Sequence, residues 1–125
     1  MLIRRFLTAA ALAIALPLCA HHACAHEGAG HNGGRIADAG PYHIELVTKG
    51  KTVEVTIYDA KEKPVSPAGF KGTAILVVGG KPARVVLTPA AARLTGEAEM
   101  ALGANPKGVV QITGPDGAAA SGKFN

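Results

Sequence analysis

The sequence predicts an all-β protein, an immunoglobulin-like β-sandwich of about seven short strands in preference to a small barrel. Short runs of alternating apolar and polar residues recur from residue 42 to residue 124, and turns rich in Gly and Pro separate them. Sixteen glycines and eight prolines also leave little uninterrupted length for a helix beyond the first 25 residues.

The chain opens with "MLIRRFLTAAALAIALPLCA", in which Arg4 and Arg5 precede an apolar run from Phe6 to Ala20. A basic start followed by a short apolar stretch is the physical signature of a secretory signal peptide. The run falls short of the roughly 20 residues that a membrane-spanning helix needs, and Pro17 interrupts it. Ala23, Cys24 and Ala25 satisfy the small-x-small rule for cleavage, so 1–25 is the expected signal peptide and His26 the expected first mature residue. Neither Cys19 nor Cys24 has the setting that lipoprotein processing requires, so the expected product is a soluble exported protein without cysteine and without a stable membrane anchor. Cleavage after Ala23 is the alternative, and it would leave Cys24, Ala25 and His26 at the start.

Residues 26–34, "HEGAGHNGG", hold four glycines and almost no apolar side chain, and are expected to form a flexible His/Gly-rich arm. The sandwich is expected over 35–125. "YHIELVT" (42–48) places Tyr42, Ile44 and Leu46 on one face and His43, Glu45 and Val47 on the other. "TVEVTIY" (52–58) comes after a short Gly loop, as expected of a hairpin. "DAKEKPVSPAG" (59–69) reads as turn and loop, because Pro64 and Pro67 exclude helix. "GTAILVV" (72–78) and "ARVVLT" (83–88) flank "GGKP" as a second hairpin. "GEAEMAL" (96–102), "GVVQIT" (108–113) and "AAASGKF" (118–124) complete the expected strands, and "PAAARL" (89–94) is the one stretch suited to a helical turn.

Several function classes are disfavoured. Removing Arg4 and Arg5 from thirteen basic residues leaves eleven against nine acids, scattered singly, with only five aromatic residues to stack on bases. Nucleic-acid binding is therefore not expected. Ser66 and Ser121 lie outside any strand-to-helix nucleophile turn, and no Gly-rich phosphate loop links a strand to a helix. Glu97 and Glu99 share one face of an expected strand, where two acids more often form solvated surface than a catalytic pair. The protein is not expected to be an enzyme.

Metal binding is better supported. His26, His31 and His43, spaced H-x4-H-x11-H, gather at the start of the mature chain. A free amine and the imidazole of an N-terminal His26 could chelate one ion, His31 could fold back along the glycine-rich arm, and His43 could add a third imidazole from the first strand. Nitrogen-rich ligation with help from Glu27 or Asp38 suits Cu(II), Zn(II) or Ni(II), and the affinity order favours copper. Cleavage after Ala23 would instead allow a square-planar amine, amide and imidazole site ending at His26. This spacing matches no closed zinc motif. Met100 offers a thioether, although its context reads as core filler. The competing reading is an interaction module of the cell envelope, with an edge strand or the "KPVSPAG" loop pairing with another exported protein.

The "HNGG" start at 31–34, "AGPYHIEL" at 39–46 and "KPVSPAG" at 63–69 resemble small exported proteins encoded beside heavy-metal and copper efflux systems. They are also similar to a segment of the periplasmic adaptor subunits of heavy-metal efflux pumps. A mature chain opening on histidine before a small sandwich further resembles periplasmic copper-resistance proteins of the CopC type, a likeness that reaches His26 only. These resemblances imply a periplasmic copper-handling protein that buffers the ion or delivers it to an efflux pump subunit.

Overall fold

Alternation decides which side of each strand faces inward, and a computed structural model describing residues 30–125 shows where those faces meet. The expected signal peptide, both cysteines and His26 lie outside the described residues. Eight strands form: β1 (Arg35–Ala39), β2 (Tyr42–Lys49), β3 (Thr52–Tyr58), β4 (Lys71–Val78), β5 (Lys81–Ala90), β6 (Arg93–Glu97), β7 (Lys107–Thr113) and β8 (Ala119–Phe124). All pairings are antiparallel, and the described residues contain no helix.

The all-β class is as expected, with eight strands in place of seven. Their order is β1-β2-β3-β6-β5-β4-β7-β8, so β7 returns beside β4 and β6 returns beside β3. The consecutive hairpins β4, β5 and β6 are thereby flanked by long connections on both sides, forming two overlapping Greek keys. Hydrogen bonding runs through all eight strands, producing one nearly closed, barrel-like sheet. The two separate sheets of the expected sandwich are not marked out by the pairing.

Inward residues at every second position build the core: Ile44 and Leu46, Val53, Val55 and Ile57, Ala74 and Leu76, Val85 and Leu87, Leu94, then Val110 and Ile112 are all buried. Each fully buried Val, Leu or Ile stabilises the fold by about 1.5–3 kcal/mol relative to exposure. Tyr42 meets Phe70 edge to face, 5.6 Å between ring centres at 80°, which fixes the long β3–β4 connection over one end of the core.

Three local expectations are corrected. "PAAARL" makes no helical turn. Ala90 pairs with Arg93 across a two-residue turn in which Ala91 has φ 55°, and Leu94 enters the core fully buried. Burial of that leucine outweighs the helix preference of three alanines, too few to nucleate a helix on their own. The strand expected at 96–102 is displaced to 93–97. Residues 98–102 instead belong to a loop tied to the β2–β3 turn by Ala98 N–H to the Lys51 carbonyl (2.7 Å) and Leu102 N–H to the Gly50 carbonyl (2.9 Å). Met100, in that loop, is 42% exposed and does not fill the core.

The sheet edges β1 and β8 approach because both carry small residues. Ala37 and Ala39 point inward from β1, and a Cβ on Gly122 of β8 would lie 2.6 Å from Ile44 Cδ1 and 3.3 Å from the Asp38 carbonyl. Arg35 spans the seam, its guanidinium 5.4 Å from the centre of the Phe124 ring and hydrogen-bonded to the Pro106 carbonyl. Gly122→Val is expected to lower stability by about 1–3 kcal/mol through overpacking at this seam. Ser121→Val, one residue away on the exposed side, should change it little. Urea unfolding midpoints compare the two, and equal midpoints would remove the seam's dependence on glycine.

Candidate functional site

The outer face of β1, β2, β3 and β6 carries a group of neighbouring polar side chains, among them Asp38, His43, Glu45, Glu54 and Arg93. On β2, alternation turns His43 and Glu45 away from the core; on β3 it does the same for Glu54, Thr56 and Tyr58. Register sets His43 opposite Tyr58, Glu45 opposite Thr56, and Asp38 opposite His43. A solvated polar face is what the sequence pattern implies, yet Glu45 has no exposed surface.

The cover over Glu45 is the end of the segment expected to be a flexible arm. Residues 30–34 form a turn, with Gly30 N–H bonded to the Gly34 carbonyl at 2.8 Å and Gly33 at φ 77°. The turn sits directly on the carboxylate: a Cβ at Gly30 would stand 2.2 Å from Glu45 Cδ, and one at Gly34 would stand 2.4 Å from the Leu46 carbonyl oxygen. Glycine here permits close approach.

Glu45 is fully satisfied. Its Oε2 accepts the backbone N–H groups of Asn32 (2.8 Å) and Gly34 (2.9 Å). Its Oε1 accepts the Tyr58 hydroxyl (2.8 Å) and the Asn32 amide nitrogen (3.0 Å). Burial pushes the carboxyl up, but the N–H groups of Gly34 and Asn32, with Tyr58 and the Asn32 side chain, outweigh it and hold the group below the ordinary range. Burial and the adjacent carboxylate together push the Tyr58 phenol up to about 12. With both oxygens occupied, Glu45 anchors the turn and has no lone pair free for a metal or a substrate proton.

Beside this anchor opens a cleft of about 300 Å³ lined by His31, Asn32, Tyr58, Glu62 and Arg93 among others. His31 is exposed and leans on Tyr58, with ring centres 5.3 Å apart. Arg93 is engaged by Glu54 at 2.7 Å, which offsets its charge at the cleft wall. Glu62 comes from the turn after β3. Asp59 Oδ1 accepts the N–H groups of Lys61 (2.8 Å) and Lys63 (3.0 Å), and the turn places Glu62 at φ 61°. His43, half-buried, lies with Nε2 3.2 Å from Asp38 Oδ1 and Nδ1 3.7 Å from Glu62 Oε1.

Of the three histidines predicted as ligands, His31 and His43 thus both neighbour Tyr58, and Glu62 lines the cleft of one and approaches the ring of the other. His26 and Glu27 lie outside the described residues. Asp38 meets His43 directly. No group of three His, Cys, Asp or Glu side chains among the described residues is brought together around a single point that could hold a metal ion. Glu62, Tyr58, Asn32 and Arg93 do not stand out in the sequence. The signals that could reveal them are "HNGG" as a tight turn and Asp59 as a turn-forming residue three positions before Glu62. Comparison with protein-family models, with characterised proteins and with solved structures finds no match to this chain.

Glu45→Gln should cost about 1.5–3 kcal/mol at neutral pH, the scale of hydrogen bonds to a charged group. Because the folded carboxyl ionises at lower pH than the unfolded one, Glu45 contributes fully above the ordinary glutamate range, and that contribution is lost as pH falls through the lowered folded value. The gap between wild type and Glu45→Gln should therefore narrow in acid. Asp59, also held low, first by the Lys63 N–H, remains in both proteins and cancels in the comparison. Urea unfolding at neutral and acidic pH measures it, and a gap that stays constant would contradict the anchoring charge.

Proposed function

We propose that the protein is exported to the periplasm and binds a transition-metal ion, copper in preference to zinc or nickel. His31 and His43 act with His26, and the protein buffers the ion or passes it to an efflux system. The observation that carries this reading is the placement of His43. Its Nε2 lies 3.2 Å from Asp38 Oδ1 and its Nδ1 3.7 Å from Glu62 Oε1, so a carboxylate stands near each ring nitrogen. Ligating histidines commonly give one ring nitrogen to a carboxylate, which sets the tautomer and raises the basicity of the other. In this arrangement Asp38 orients the ring, Nδ1 and Glu62 face the ion, and His31 reaches it from the cleft side.

Two imidazoles and one carboxylate from the described residues do not close a site as they stand. Closure needs rotation of the exposed His31 and a donor from the segment before residue 30, which is the part His26 plays. The donor set, mostly nitrogen with one carboxylate, suits Cu(II). Binding releases protons and weakens in acid, because imidazole ligates in its neutral form. The resemblance of 31–34, 39–46 and 63–69 to exported proteins of metal-efflux systems supports delivery to a pump subunit over storage alone.

Titration with Cu(II), after mass spectrometry has fixed the first residue, tests this reading. His43→Ala and the double variant His26→Ala with His31→Ala should each weaken binding by at least about tenfold, the scale on which even outer partners of ligands act. Metal at a hundredfold excess over Kd should stabilise the wild type by about 2.7 kcal/mol. Undiminished affinity in the double variant would refute the site.

A further inference from the structure

The half of the barrel remote from the histidines has a different character. Outward positions of β5, β4, β7 and β8 form cross-strand rows, and one row reads Arg84, Ile75, Val109, Lys123. Aliphatic side chains occupy its centre and cations its two ends. In the neighbouring rows Val77 pairs with Lys107, and Val86, 65% exposed, lies opposite Thr73. No Asp or Glu occurs anywhere on these four strands. Among the described residues none of Arg84, Lys107 and Lys123 makes an ion pair.

We infer that this face docks on the surface of a bilayer containing anionic lipid, with the cations in the headgroup layer around the exposed aliphatic centre. Charge selects the occupant. A second copy presenting the same face would set cations against cations, which like-charge juxtaposition disfavours. A protein partner is less well matched, since lysine is depleted in protein interfaces, whereas Lys and Arg near an anionic leaflet each strengthen binding. The contact is peripheral. The chain has no Trp to seat at an interface, and no helix among the described residues is long and apolar enough to cross a membrane. Docking through β4, β5, β7 and β8 leaves the His31 cleft, on the other half of the barrel, open to solvent. Lipid docking is therefore independent of metal binding.

The test is co-flotation of the exported protein with vesicles of phosphatidylcholine alone or mixed with phosphatidylglycerol. Binding is expected only to the mixed vesicles, and it should fade as added salt shortens the screening length toward and below about 10 Å. Arg84→Glu with Lys123→Glu, both at exposed positions, should weaken it by at least about tenfold, given a several-fold contribution per basic residue. Thermal melts confirm that the variant is folded. Equal binding to phosphatidylcholine alone would overturn the inference, because the affinity would then owe nothing to the cations. No binding to either vesicle would also overturn it. So would self-association abolished by the same variant, which would make the face a contact between copies.

Discussion

Glu45 carries a carboxylate into a place where nothing of it reaches solvent, and the outer architecture of one half of the barrel is arranged around that fact. An ionised group buried without partners would cost several kcal/mol. Four donor groups remove the penalty, and they come from two separated parts of the chain: the turn at 30–34, and β3 through Tyr58. The same bonds that offset the cost fix Asn32, and with it the adjacent His31, against Tyr58. The position of a surface histidine is thus set by a buried anion on β2.

That coupling also explains why the polar face divides into an inert and an available part. Glu45, Asn32 and Thr56 satisfy one another, and no buried side-chain polar atom among the described residues lacks a partner. His31 and Glu62 lie at the margin of this network, where they line the cleft.

Much of the fold could be read from alternation. β2, β3, β4, β5, β7 and β8 coincide with runs such as "YHIELVT" and "GVVQIT" within two or three residues. β1 was not legible because "RIADA" carries a single branched aliphatic, and its alanines are small for a reason visible only when β8 lies beside them. "PAAARL" misled because composition favours a helix where the hairpin buries Leu94. Alternation places His43 on the polar face of its strand, and in the structure it stands there beside Asp38. Glu45 looked like its solvated neighbour, since a period of two identifies a face but not what folds over it. The glycines of "HEGAGHNGG" read as slack, whereas Gly30 and Gly34 are required by contact with Glu45 and Leu46.

The seam between β1 and β8 has a kinetic side. These are the first and last strands of the barrel, about eighty residues apart, and two Greek keys lie between them. Contacts this distant in sequence must be closed against chain entropy, which slows folding relative to local hairpins. The hairpins β1–β2–β3 and β4–β5–β6 can form from nearby residues as soon as they exist. Phe124 and Gly122 belong to β8, so the core stays open on one side until that strand takes its place beside β7 and β1. Closure of the barrel at this seam is therefore a late, long-range step.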